Sequence, residues 1–259
     1  MPRLTVVVPC YNEADRLDPA PLLAFLDGHP DASLLLVDDG SADATGALLD
    51  RLAAERPGRI RALPLTPNRG KAEAVRQGLR DALAAGAEIV GYLDADLSTP
   101  PAELDDLLAG LARPGVQVAI GARVGMLGYQ IDRSAVRHYL GRVFATAASL
   151  ILRARVYDTQ CGAKLFRAGP ALSEALSAPF LSRWAFDVEL LGRLLIGTAA
   201  VAPLPIAAIV EVPLAIWRDV AGSKLGLAGM VRTLRDLARV ANDMNARRRA
   251  LGVRENPAS

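Results

Sequence analysis

The sequence predicts an α/β fold built on a mostly parallel sheet with helices on both faces. Over the first 121 residues short apolar runs alternate with amphipathic stretches of helical period. The runs are largely apolar, as expected of strands covered on both faces by crossover helices. The loops that follow the runs are polar or acidic, and ligands of such sheets bind outside the carboxyl ends of the strands.

In order along the chain, strands are expected at Leu4–Val8, Ser33–Val37, Ile60–Leu65, Glu88–Leu93 and Val116–Ile120. The helices between them are expected at Pro21–Asp27, Ala42–Glu55, Lys71–Ala85 and Ala102–Ala112. After Arg123 the pattern changes. Arg133 to Arg155 reads as one long helix, with Leu140, Phe144, Ala147 and Ile151 on a stripe that Val143 and Leu150 widen. A polar segment beginning at Asp158 follows, then a helix at Ala185–Ile196, a strand at Ile209–Ile216 and a last helix over Leu225–Arg249. That helix carries Leu227, Val231, Leu234, Ala238 and Ala241 on one side and Arg232, Arg235 and Arg239 on another. The tail from Gly252 has no pattern of its own.

Composition narrows the partners. A net charge of +2 over 259 residues gives no global attraction to nucleic acid. Charge is nonetheless uneven, with six arginines and one acid between Arg123 and Arg155, a stretch suited to a phosphate-bearing partner or to solvent. Two cysteines, Cys10 and Cys161, suggest no disulfide framework, so a reducing cytoplasm is expected. The N-terminus enters a strand pattern at once, without the charged and apolar regions of a signal peptide. The most apolar window, Thr198–Trp217, is broken by Pro203, Pro205, Glu211 and Pro213, so a membrane span is not expected.

Three loops carry the chemistry. Asp94-Ala95-Asp96 ends an apolar run and makes a small anionic fork, the oxygen donor set of a hard divalent cation that also takes substrate phosphates. Asp38-Asp39-Gly40-Ser41 is either a turn with Ser41 capping the next helix or a carboxylate that accepts hydrogen bonds from a base or ribose. Asn68-Arg69-Gly70-Lys71 opens a helix whose backbone donors and basic neighbours favour an anion, unless Lys71 is spent on a surface pair. His29 and His138 lie outside the acidic loops, which argues against zinc. Cys161, Trp184 and Trp217 read as packing residues.

These segments, VVVPCYNEADRL, LLLVDDGSAD, NRGKAEAVRQG, YLDADLSTP and IGAR, resemble the family 2 glycosyltransferases of the GT-A fold. DTQCGAKLF, RWAFDVELL and IWRDVAGSKL are similar to the dolichyl-phosphate β-glucosyltransferase branch and its bacterial polyprenyl-phosphate relatives. The resemblance implies an inverting, metal-dependent glycosyltransferase that uses Mg²⁺ or Mn²⁺ and moves a hexose, glucose from UDP-glucose first, onto a polyprenyl or dolichyl phosphate. It implies donor contacts from Pro9, Tyr11, Glu13, Asp39, Lys71, Asp94, Arg123, Arg218 and Lys224. Asp94 and Asp96 would hold the metal, and Arg133 and Arg137 would meet the acceptor phosphate. Asp187 matches the position of an inverting base, and Asp158 is a second acid facing the same region. Alternatively the Asp187 helix is ordinary core, with Asp187 and Glu189 facing water.

Residues 1–122 then form a nucleotide-sugar half, 123–250 the acceptor-side half of the same domain, and 251–259 a flexible tail. Ser98 stands where some lipid-phosphate mannosyltransferases have glutamine, and no segment matches the transmembrane helices of several relatives. Peripheral contact with the inner face of the cell membrane is the corresponding expectation. Two other readings stay open: a family 2 enzyme using a hydroxyl acceptor, and a non-catalytic nucleotide-sugar binder or nucleotidyltransferase. The last would favour a glycine-rich loop after the first strand, which Pro9-Cys10-Tyr11-Asn12 does not supply.

Overall fold

The computed structural model describes residues 3–131, 135–218 and 227–252, with the backbone alone for 135–138, 140 and 227–234. The first part alternates strand and helix: β1 (Leu4–Cys10), α1 (Ala20–Gly28), β2 (Ala32–Asp38), α2 (Thr45–Glu55), β3 (Ile60–Pro64), α3 (Lys71–Ala84), β4 (Ile89–Leu93), α4 (Leu104–Leu111) and β5 (Val118–Ala122). β1, β2, β3 and β4 are parallel. Their unbroken apolar character has a direct cause. Val7, Leu35 and Val37 face one core with Val75 and Leu79 of α3, while Val6, Val8, Leu34 and Leu36 face a second core on the other side.

The later elements are β6 (Gln130–Ile131), α5 (Ala135–Leu152), β7 (Ala163–Arg167), α6 (Pro170–Ala175), α7 (Phe186–Ile196), β8 (Ile209–Pro213), β9 (Ile216–Trp217) and α8 (Leu227–Ala250). The seven-stranded sheet runs β3-β2-β1-β4-β7-β5-β8, and β6 pairs with β9 in a separate two-stranded ribbon. β7 is antiparallel to both β4 and β5, the one reversal in an otherwise parallel sheet.

β7 is absent from the sequence-based expectation, because Lys164 interrupts its apolar run. The expected strand Ile209–Ile216 divides at Leu214 and Ala215 into β8 and β9. Glu103 holds the break, its carboxylate accepting the N–H groups of Ala215 at 2.7 Å and Ile216 at 3.0 Å. The helix expected from Ala42 starts at Thr45, so Ser41 does not cap it; its Oγ instead accepts Asn12 N–H at 3.0 Å. On α5, Phe144, Ala147 and Ile151 pack against the core, but Val143 and Leu150 point outward and are exposed. Among the described residues no helix is long and apolar enough to cross a membrane.

The insertion of β7 depends on one glycine. A Cβ on Gly91 of β4 would lie 2.3 Å from Lys164 O and 2.4 Å from Leu165 Cδ2. Gly91→Ala should therefore lower stability by about 1–3 kcal/mol through overpacking. Urea unfolding measures it; an unshifted midpoint would show that β7 can move aside without cost.

Candidate active site

The carboxyl ends of β1, β2 and β4 bring the acidic loops together. Asn12 takes φ +53° where the chain leaves β1. Its side-chain oxygen accepts Ala42 N–H at 2.9 Å, while Glu13 N–H donates to Thr45 Oγ1 at 2.8 Å. The β1 and β2 loops are thus laced into one wall. Tyr11 stands half exposed on it and Pro9 lies half-buried at the end of β1.

Asp39 is buried, and its carboxylate accepts Arg69 N–H at 2.9 Å, Gly70 N–H at 2.8 Å and the Asn68 amide at 3.0 Å. The anion at the N-terminus of α3 is therefore the protein's own Asp39, where the sequence suggested a bound phosphate. Gly40, at φ +71°, lets the two loops touch, since a Cβ there would lie 2.8 Å from Asn68 N.

Lys71 turns to the metal fork. Its Nζ lies 2.5 Å from Asp94 Oδ1 as an ion pair, although that oxygen makes no directed hydrogen bond. Burial works against the Lys71 charge, but Asp94, Asp187 and Asp96 outweigh it and raise its pKa. Gly162 closes the fork from behind, its carbonyl accepting Asp94 N–H at 3.1 Å. A Cβ at Gly162 would come within 2.3 Å of Asp94 Oδ2, so the close packing of this carboxylate requires glycine.

The donor set fits Mg²⁺ or Mn²⁺. Asp94 Oδ1 meets Lys71 as an ion pair and Glu13 Oε2 lies 3.6 Å from Arg16 Nε, but neither buried oxygen accepts a directed hydrogen bond. Glu13 is raised above the usual carboxylate range by burial and, against Arg16, by repulsion from Asp96, Asp43 and Asp94, so the region holds an excess of negative charge. Among the described residues no three His, Cys, Asp or Glu side chains form a closed cage. A pair of carboxylates that leaves room for water and phosphate oxygens matches Mg²⁺ and related hard ions and not structural zinc. Asp94 and Asp96 would hold the ion.

The far wall is a second ion pair. Arg123, just past β5, grips Asp158 with two side-chain hydrogen bonds, Nε to Oδ2 at 2.6 Å and Nη2 to Oδ1 at 2.8 Å. Burial opposes both charges, yet each partner offsets it: Asp158 is held below its ordinary pKa and Arg123 above. Glu211 of β8 fixes the approach to Asp158 by accepting Tyr157 N–H at 2.8 Å and Asp158 N–H at 2.8 Å. Trp217 stacks on Arg123, 5.3 Å from guanidinium to ring centre. Arg218 N–H reaches Ser98 O at 2.9 Å, so exposed Arg218 sits beside the metal loop.

Asp187 lies in the first turn of α7, buried between the walls. Lys164 Nζ, itself fully buried, donates to its Oδ1 at 2.7 Å, and the Tyr92 hydroxyl donates to the same oxygen. Gln160 Nε2 stands 3.5 Å from Oδ2. Burial first, and Asp187 second, keep the Tyr92 phenol well above its ordinary pKa and so protonated as a donor. Neither Asp187 nor Glu189 faces water: Glu189 is fully buried and pairs with Arg193 at 2.6 Å.

The structure therefore brings Tyr11, Glu13, Asp39, Lys71, Asp94, Asp96, Arg123, Asp158, Asp187 and Arg218 to one edge of the sheet. Arg133 and Lys224 lie outside the described residues, as does the side chain of Arg137. Sequence reasoning missed Tyr92, Lys164, Glu211 and Gly162 as site residues. Lys164 had a signal, since it is one of only three lysines and sits inside an apolar run. Cys161 is buried with its thiol pushed up to about 11 by burial, an inert packing residue as expected. Trp217 is buried as expected, whereas Trp184 is 54% exposed and does not pack.

Asp158→Asn would leave the buried Arg123 charge unpaired and should cost about 3–5 kcal/mol near neutral pH. Because Asp158 has a lowered folded-state pKa, its contribution is present above the unfolded value of about 3.9 and is lost as pH falls through the folded value. The stability gap between wild type and variant should thus be constant from about pH 5 upward and close below about pH 4. A gap that persists under acid would show that the carboxylate charge is not what matters.

The family model described as glycosyl transferase family 2 matches residues 5–171. A dolichyl-phosphate beta-glucosyltransferase of Drosophila melanogaster is 34% identical over 238 residues, 86% of this chain and 69% of the relative. The polyprenol monophosphomannose synthase of Mycolicibacterium smegmatis is 31% identical over 206 residues, 79% of this chain and 76% of that one. Among solved structures, glucosyl-3-phosphoglycerate synthase of Mycobacterium tuberculosis with Mn²⁺, UDP-glucose and phosphoglyceric acid superposes with a TM-score of 0.64 at 21% identity, covering 93% of this chain and 80% of that one. That likeness speaks to the GT-A fold. The chain belongs to glycosyl transferase family 2 and is a glycosyltransferase.

Proposed function

We propose that this enzyme transfers a hexose, glucose from UDP-glucose in the first instance, with inversion onto a polyprenyl or dolichyl phosphate. One observation carries the choice of acceptor: both acids that could serve as a base, Asp158 and Asp187, are buried in ion pairs with Arg123 and Lys164. A hydroxyl acceptor needs a base within reach of its proton. A phosphate monoester, with a second pKa of about 6, arrives mostly ionised and needs none. The relatives named as dolichyl-phosphate and polyprenol-phosphate enzymes support the same choice.

In this reading Pro9, Tyr11, Glu13 and the Asp39 turn receive the base and ribose, and Lys71, Arg123, Arg218 and Lys224 surround the diphosphate. A Mg²⁺ or Mn²⁺ ion held by Asp94 and Asp96 would stabilise negative charge on the departing diphosphate. Arg133 and Arg137 screen the repulsion between the two phosphates. An acceptor phosphate oxygen bonds to the anomeric carbon as the bond to the diphosphate breaks, and the electron pair leaves with the nucleotide.

A membrane-borne acceptor calls for peripheral contact at the inner face of the cell membrane. Tyr139, Val143 and Leu150 lie on one exposed side of α5, and Leu127, in the loop after β5, is fully exposed. These groups, with exposed Arg235 and Arg239 of α8, suit an anionic lipid surface.

The decisive experiment offers UDP- and GDP-sugars, Mn²⁺ or Mg²⁺, and undecaprenyl or dolichyl phosphate. Sugar transfer to lipid is expected, and Asp96→Ala should lose nearly all turnover. Slow hydrolysis across the whole panel would point to a hydroxyl acceptor, and donor-dependent function that survives Asp96→Ala would point to a binding protein. Flotation with anionic liposomes at low salt should carry the protein upward, and a protein that stays at the bottom of the gradient would contradict the membrane contact.

A further inference from the structure

We propose that Lys164 and Asp187 form a positioning pair that holds the metal fork and Arg123 in register, and that Asp187 takes no proton from the acceptor. The absence of a proton to remove rests on the phosphate-acceptor reading above; the positioning role does not.

Lys164 is the second residue of β7, opposite Tyr92 of β4 and Ile120 of β5, and is completely buried. A buried ammonium persists only when paired and hydrogen-bonded. It donates to Asp187 Oδ1 at 2.7 Å and to Cys161 O at 2.6 Å, and lies 5.1 Å from the centre of the Tyr92 ring. One cation thereby ties α7 to the 158–162 turn.

That turn carries both walls of the donor site. At one end Asp158 holds Arg123; at the other Gly162 accepts Asp94 N–H and lies flush against the Asp94 carboxylate. A shift of Cys161 O therefore moves Asp94 and Arg123 together. Asp187 is occupied in return: Oδ1 accepts Lys164 and Tyr92, Oδ2 faces Gln160, and the first turn of α7 favours its negative charge. These are the surroundings of a fixed counter-ion. A general base would keep an open oxygen toward its substrate.

The two roles separate in variants. Asp187→Asn, nearly isosteric, leaves Lys164 without its counter-charge. Transfer and calorimetric binding of UDP with Mn²⁺ should both weaken, by roughly tenfold or more, because the fork itself moves. Lys164→Met removes the tie to Cys161 O and leaves Asp187 in place; transfer and calorimetric binding of UDP with Mn²⁺ should again weaken together, by roughly tenfold or more. If Asp187 were only a proton acceptor, its loss would cost about 10²–10⁴ in transfer and leave UDP binding unchanged. A folded Lys164→Met protein that binds UDP with Mn²⁺ as tightly as wild type overturns the proposal. So does an Asp187→Asn protein that binds UDP with Mn²⁺ as tightly as wild type while transfer collapses, an arm that remains readable if Lys164→Met does not fold. If wild type moves no sugar to lipid phosphate, the acceptor reading fails, and UDP binding still tests the pair.

Discussion

A lysine ammonium buried in the middle of a seven-stranded sheet constrains everything around it. Water cannot reach Lys164, so the chain must supply its counter-charge and its acceptors. Asp187 comes from α7, the Cys161 carbonyl from the preceding turn, and the Tyr92 ring from the neighbouring strand. Three elements distant in sequence are thus held at fixed separations by one charge. Breaking such a pair from one side costs about 3–5 kcal/mol, a large share of the stability of an ordinary domain.

The same electrostatic logic repeats outward. Arg123 and Asp158 form a second buried pair, steadied by Glu211, and Lys71 with Asp94 forms a third at the edge of the cleft. The first two are closed by multiple hydrogen bonds, so their charges are matched within the protein. The third is different: its carboxylate keeps an oxygen without a directed hydrogen bond, and the carboxylates near it repel one another. A cation and a diphosphate would find partners there, where the charges are incompletely matched. Rigid pairs behind and an unsatisfied fork in front are what a donor site needs, because preorganised groups stabilise developing charge without rearranging.

Much of the fold was legible because it rests on local chemistry. The apolar runs of β1, β2 and β4 are covered on both faces, which buries Val6-Val7-Val8 and Leu34-Leu35-Leu36. The acidic loops were legible for the same reason, since each follows a strand and must open on one edge. β7 was not legible. Its five residues are held by neighbours on either side, and its lysine argues against a buried strand until Asp187, 23 residues on, is known to face it. Nor could spacing show that Asp39 spends its carboxylate on the Asn68–Gly70 turn, a contact between loops about thirty residues apart.

By itself, then, the sequence determined the α/β class, the placing of Asp39, Lys71, Asp94 and Asp96 on one edge, and the family to which those motifs belong. These follow from hydrophobic period and from the position of polar loops after strands, both local properties of the chain. Only the tertiary structure decided which acids are free and which are paired. Whether Asp158 and Asp187 act as bases or as counter-ions depends on Arg123 and Lys164, which reach them across the sheet, and on burial that makes an unpaired charge there untenable.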